Sequence, residues 1–304
     1  MTTLAEHVED YLRLRRALGF TLGGYDDPLA SFAAYIEAAG TGTVTAELAE
    51  AWAWLPVGIK PITASYRIGW VRGFARYLHA IDPAHEIPPP GLLSVPRRRP
   101  APYLYSHEQV QDVLARARQL QPPLRAATYE TLFGLLATTG MRVGEALALT
   151  RHDVALVDGI LTIRHAKFNR MRLVPLHPST TDALRRYALV RDHLCRDPRT
   201  DRFFHIGGVV ERRDAEHVFL TITTQLGLRT AIVHPRIHDL RHTFAVRTLT
   251  DWQRDGSDVH AMLPVLSTYL GHIEPKNTNW YLSATPELMQ LAAERLEQHF
   301  GGRL

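Results

Sequence analysis

His238-Asp239-Leu240-Arg241-His242-Thr243-Phe244-Ala245 is the stretch from which the rest of this chain can be read. On a helix, His238 and Arg241 stand at i, i+3 and share a face, while His242 lies one residue further round and stays near His238. A guanidinium presents a planar fork that matches two oxygens of a phosphate. The rival is a metal site, because His238 and His242 at i, i+4 resemble the ligand pair of a metalloprotease helix. That pattern needs a glutamate directly after the first histidine, and this chain has Asp239. No nearby segment supplies a third ligand, so His242 is expected in a core or capping role.

Downstream lies Leu270-Gly271-His272, and nine residues after His272 comes Tyr281. Gly271 is expected to end a helix starting at Val259 in the left-handed conformation, with His272 just beyond it. Upstream, Thr139-Gly140-Met141-Arg142-Val143-Gly144-Glu145 places Arg142 at a helix N-terminus, where free backbone donors favour a phosphate. Glu145, three residues on, is expected to orient an arginine. Between these segments, Ile160 to Arg164 and Arg172 to Leu176 read as the strands of a hairpin around Lys167, with Arg164, Arg170 and Arg172 beside it. A hairpin tip can bring an ammonium to a leaving oxygen. Each residue alone has an ordinary explanation: a solvated charge, a helix cap, a packed ring. Together, two arginines, two histidines and a late tyrosine suit one task, holding a phosphodiester while a phenol oxygen attacks it.

In this combination the chain resembles the tyrosine recombinases, the phage integrase family, over roughly Tyr103 to Glu297. The matching stretches are Thr139 to Leu149, Lys167 to Leu176, His238 to Ala245, Leu270 to His272, and Tyr281. Arg13 to Phe20 looks like transposon-borne members found in multi-recombinase modules. Two places depart from the family pattern: Trp252 to Met262 reads as an insertion, and Ala166-Lys167-Phe168 replaces a glycine-lysine-glycine. The resemblance implies a site-specific DNA recombinase, a metal-independent and ATP-independent strand transferase without cofactor, with Arg142, Lys167, His238, Arg241, His272 and Tyr281 as its catalytic set. It implies attack by Tyr281 to give a 3′-phosphotyrosyl link, with Lys167 protonating the departing 5′-oxygen and His238 managing the phenol proton. His272 would bind a nonbridging oxygen. Double-stranded DNA is the implied partner, bound by a homotetramer in the synaptic complex, with sister recombinases as further candidates.

The remaining features are consistent with that expectation. The chain has 304 residues, 45% of them hydrophobic, enough for two domains. Net charge is +4 and the sequence pI is 9.3, which fits a polyanionic partner. A single cysteine, Cys195, excludes an internal disulfide and a cysteine-based metal cluster. No stretch approaches a membrane span and no basic-then-apolar leader opens the chain, so a cytoplasmic, nucleoid-associated bacterial protein is expected.

The fold class expected is mainly α. Residues 1–90 should form a helical, SAM-like core-binding domain. Residues 91–102 should form a linker rich in proline and arginine, because proline cannot continue a helix. Residues 103–304 should form a mostly helical catalytic domain with a small antiparallel hairpin. Helices are predicted from Leu4 to a stop at Gly19, from an Asp27 cap to Gly40, from a Thr45 cap to Trp54, and over Ile62 to Leu78. Ser106 opens another with a capping box, and others start at Ser179, around Glu216, and at His238, Val259 and Pro286. Arg67, Arg72 and Arg76, with Arg97, Arg98 and Arg99 and the hairpin's Arg164, Arg170 and Arg172, are the candidate DNA contacts; a solvated helix face accounts for the first three equally well. Three other readings stay open: a DNA clamp that does not cut, a zinc hydrolase, and a type IB topoisomerase.

Overall fold

The computed structural model describes residues 3–95, 101–166, 170–272, 274 and 276–283. The chain is mainly α-helical with one small antiparallel sheet, as expected, and divides into two compact units, Met1–Arg99 and Pro100–Leu304.

The first unit contains helices α1 (Leu4–Ala17), α2 (Asp26–Ala38), α3 (Ala46–Ala53) and α4 (Pro61–Ile81). The apolar spacing of α1 buries Leu4, Val8, Tyr11 and Leu12. These side chains share a core with Phe32 of α2, Trp52 of α3, and Ile68, Val71 and Phe74 of α4. Each such side chain, fully buried, contributes roughly 1.5–3 kcal/mol. Thr45 caps α3 by accepting from the Leu48 amide at 3.2 Å. Helix α2 departs from the prediction: Asp27 lies inside its first turn and Tyr25 is the N-cap. Both aspartates still lie in the first turn, at the positive end of the helix dipole, and Asp26 is gripped by Arg16 at 2.7 and 2.8 Å.

The proline-rich stretch begins as part of this unit. Glu86 accepts from the Ala46 amide at 2.8 Å, and buried His85 accepts from the Val44 amide at 3.1 Å. Arg72 donates to the carbonyls of Pro88 and Pro89. Of the predicted linker, residues 96–100, with Arg97, Arg98 and Arg99, lie outside the described residues.

The second unit opens with α5 (His107–Ala117) and α6 (Pro123–Thr139). The Ser106 capping box forms: its hydroxyl accepts from the Gln109 amide and the Gln109 side chain accepts from the Ser106 amide. Helix α6 buries Ala126, Tyr129, Leu132, Phe133, Leu135 and Leu136 and packs against α5, α8 (Pro178–Leu194) and α10 (Asp239–Arg254), with Glu130 turned to a surface ion pair with Arg118. The short α7 (Val143–Ala148) leads to strands β1 (Val154–Ala155), β2 (Ile160–Ala166) and β3 (Arg170–Pro175), ordered β1-β2-β3.

The hairpin pairs Ile163 with Arg172 and Ala166 with Arg170, with an irregularity in β2 between Ile163 and Ala166. Lys167 belongs to residues 167–169, outside the described residues, as does the start predicted at Pro286. After α9 (Arg212–Gln225) and α10 come α11 (Val259–Leu270) and α12 (Lys276–Ser283). The apparent insertion at Trp252 to Met262 forms the end of α10, a short turn and the start of α11. Asp258 caps that start by accepting from the amides of His260 and Ala261. A separate core of Ala245, Leu249, Leu263, Leu266, Leu270 and Tyr281 ties α10, α11 and α12 together.

Candidate active site

The C-terminal end of α11 organises the site. A helix ends on carbonyls without intrahelical partners and on the negative end of its dipole, so cations collect there. Three consecutive carbonyls each accept from a different arginine. Arg172 Nε donates to Tyr269 at 3.1 Å, Arg241 Nη2 to Leu270 at 2.9 Å, and Arg142 Nη2 to Gly271 at 3.0 Å. Gly271 closes the helix with φ +68°, as predicted, and the Arg172 guanidinium presses against it: a β-carbon there would lie 2.6 Å from Nη1.

Glu145 holds two of these arginines. Its carboxylate accepts from Arg142 Nη1 at 2.7 Å and from the Arg142 amide at 3.0 Å. Arg172 meets the same carboxylate with both Nη atoms, at 3.1 and 2.7 Å. Burial alone would raise the carboxyl's pKa, but Arg172 and then Arg142 outweigh it and hold it at about 2. Arg142 is the N-cap of α7, with a partly exposed side chain. Its five N–H donors are not used up by two side-chain bonds, so it can still grip an anion. Arg241 is 2% exposed and also donates to the Gly140 carbonyl at 2.7 Å, which joins the ends of α6 and α11. Burial, then Arg142, lowers its pKa to about 10, so it remains charged at neutral pH.

Close by lie the histidines. His272 sits just past Gly271, with Nδ1 2.7 Å from the hydroxyl of Thr278, a fully buried residue of α12. Burial, followed by the charges of Arg241 and Arg142, lowers its pKa to about 3. His238 is the N-cap of α10 and opens to solvent on one side. Desolvation and then Arg241 hold its pKa well below the usual imidazole range. Both rings are therefore neutral at physiological pH and act as hydrogen-bonding groups. Asp239, next to His238, is buried and paired with Arg236 at 2.8 Å.

Tyr281 is 2% exposed. Its hydroxyl lies 2.9 Å from His242 Nδ1. His242, expected in a core or capping role, is half-buried among the rings of His238, Trp280 and Tyr281, and its side chain also reaches the phenol. Thus the structure gathers Arg142, Glu145, His238, Arg241, His272 and Tyr281 into one place, and adds Arg172, His242 and Thr278. The first addition carried a signal in the sequence, a charge on the hairpin strand, which was read as a DNA contact. Nothing in the sequence marked Thr278.

The other candidate DNA contacts are distributed more widely. Arg164 pairs with Asp153. Arg67 stacks 3.7 Å above the Trp52 ring and donates to its carbonyl, while Arg76 is exposed. The side chain of Arg170 lies outside the described set.

Comparison with known proteins identifies relatives over the whole length. A model of the phage integrase family matches residues 104–287. The putative integrase/recombinase y4rB of Sinorhizobium fredii is 42% identical over 313 residues, covering 100% of both chains. The tyrosine recombinase XerD of Rhizobium meliloti is 27% identical over 302 residues, covering 93% of this chain and 92% of that one. Among solved structures, the XerH site-specific recombinase bound to a palindromic difH substrate superposes with a TM-score of 0.68 at 19% identity. That match covers 98% of this chain and 86% of XerH, and is a likeness of fold.

Proposed function

This chain belongs to the phage integrase family, and from that premise we propose how its residues carry out recombination. It is a site-specific recombinase, an enzyme that cuts and rejoins DNA strands through a 3′-phosphotyrosyl intermediate. Double-stranded DNA is its partner. The observation that carries the residue roles is the convergence of Arg142 and Arg241 on one helix end beside the Tyr281 hydroxyl of the same chain.

Tyr281 attacks the scissile phosphate. A free tyrosine ionises near pH ~10, so the phenol needs help at neutral pH. Arg142 and Arg241 neutralise the charge on the pentacovalent phosphorus, and neutral His238 and His272 hydrogen-bond its nonbridging oxygens. Lys167 protonates the departing 5′-oxygen. The phosphodiester bond energy stays in the protein–DNA ester, so a 5′-hydroxyl from a second strand can reseal it without ATP. Four protomers on two DNA sites exchange strands in pairs.

Residues 1–90 act as the core-binding domain and residues 103–304 as the catalytic domain. Arg76 and the arginines at 97, 98 and 99 contact the DNA backbone. No helix among the described residues is long and apolar enough to cross a membrane, and the proposed location is the cytoplasm, at the nucleoid.

The test is covalent capture. Nicked duplexes tiled from the DNA flanking the protein's own gene lose a short 5′-hydroxyl fragment on cleavage, which traps the adduct. The expected result is a protein–DNA adduct mapped to Tyr281 and absent from Tyr281→Phe. An adduct that persists in that variant, or none with the unaltered protein on any duplex, overturns the reading.

A further inference from the structure

In the site as described, the phenol that must lose a proton is bonded to a histidine outside the expected catalytic set. His242 follows Arg241 on α10, so its side chain leaves the helix about 100° further round. Arg241 turns to the ends of α6 and α11, whereas His242 turns to α12 and meets Tyr281 Oη at 2.9 Å. Its ring is framed on three sides: edge-to-face with His238 at 4.8 Å, against Trp280 at 5.4 Å, and tilted on Tyr281 at 5.5 Å. That frame fixes the ring so that Nδ1 points at the hydroxyl. Because Tyr281 is buried, bulk water has little access to its proton.

Resting on the recombinase reading above, we propose that His242 is the catalytic base of DNA cleavage. In its Nε2–H form, Nδ1 has a lone pair for the phenolic proton. As Oη bonds to phosphorus, that proton passes to Nδ1, and the bond between phosphorus and the 5′-oxygen breaks with protonation of that oxygen by the general acid. In rejoining, a 5′-hydroxyl attacks phosphorus, the Oη–phosphorus bond breaks, and Nδ1–H returns the proton to Oη. His238, edge-on to His242 and open to solvent, is left for the phosphate. This removes the phenol proton from the role that the family resemblance gave to His238.

The assignment is tested with His242→Asn and His242→Gln on the same nicked duplexes. Asparagine keeps a hydrogen-bond acceptor near the position of Nδ1 but cannot take a proton. Cleavage is expected to slow by roughly 10²–10⁴, with DNA retention unchanged. Each variant is then made with 3,5-difluorotyrosine at position 281, whose phenol ionises near neutral pH and needs little help from a base. In that background the ratio of unaltered to variant rate is expected to shrink toward unity. An equal loss with tyrosine and with difluorotyrosine assigns His242 a structural role only and overturns the proposal. So does cleavage by either variant at the unaltered rate. Trapping at Tyr281 in the unaltered protein is the separate control: its failure removes the recombinase reading itself, whereas its success beside unslowed variants removes only the role of His242.

Discussion

Arg172 and Glu145 form a forked ion pair at 2.7 and 3.1 Å, with side chains 10% and 7% exposed. This pair joins the β-hairpin to the arginine that caps α7 and, through Tyr269 and Gly271, to the end of α11. The residue carrying that pair had been expected on a DNA surface. Its burial makes it a brace for the site.

Replacing Arg172 by methionine is therefore expected to destabilise the protein by up to ~3–5 kcal/mol, the usual loss when one partner of a buried pair is removed. Arg142 still pairs with Glu145 and limits the damage. Arg172→Lys keeps the charge but not the fork, and should recover only part of the stability. Urea unfolding of the two variants checks this. Full stability in Arg172→Met would show that the pair does not brace the fold.

The two phosphate-binding arginines should separate in their effects. Arg142→Gln is expected to lower adduct formation by roughly 10²–10³ with a small change in stability, since its side chain is partly exposed. Arg241→Gln should lose activity to a similar degree and stability as well. It leaves the buried carbonyls of Gly140 and Leu270 without their donors, at roughly 1–3 kcal/mol each. Trapping rates paired with thermal melts distinguish the two. Equal melting temperatures for both variants would contradict the structural share assigned to Arg241.

Gly271→Ala places a methyl 2.6 Å from the Arg172 guanidinium at a φ of +68°. Because Glu145 and Tyr269 hold that guanidinium, the backbone has to yield, and His272 moves with it. A destabilisation of roughly 1–3 kcal/mol is expected from the backbone conformation alone, with slower cleavage on nicked DNA. Normal rates in a stably folded Gly271→Ala would count against tight placement of His272.

Acid should weaken this unit in two stages. His272 has an ordinary pKa of 6.5 and a folded value of about 3. Below pH 6.5 the unfolded chain therefore binds a proton that the folded one refuses, and stability falls as the pH drops toward 3. His238 shifts in the same direction and adds to the slope. Glu145, ordinarily 4.5 and about 2 when folded, contributes a further loss as the pH falls from 4.5 toward 2. Melting temperatures measured from pH 7.5 to 4 should decline, and more gently in His272→Asn. An unchanged slope in that variant would place the acid sensitivity elsewhere.

Much of the site was legible in the sequence because its signals are local. Gly140 before Arg142, the i, i+3 spacing of His238 and Arg241, and Gly271 before His272 are helix ends and helix faces, set by backbone geometry within a few residues. The helical first unit and the hairpin were legible for the same reason: apolar periodicity and proline placement are short-range. Asp27 misled only because a carboxylate inside a first turn and one at the cap look alike in sequence.

What the sequence by itself determined was the set of reactive groups and the order in which they follow one another. Tertiary structure decided their partners. Arg172 meets Tyr269 across 97 residues, Arg142 meets Gly271 across 129, and His242 meets Tyr281 across 39. Periodicity states which way a side chain leaves its own helix but not what stands opposite, since that depends on how α6, α10, α11, α12 and the sheet pack. Whether an arginine is buried as a brace or exposed to DNA, and which histidine touches the phenol, are settled only by that packing.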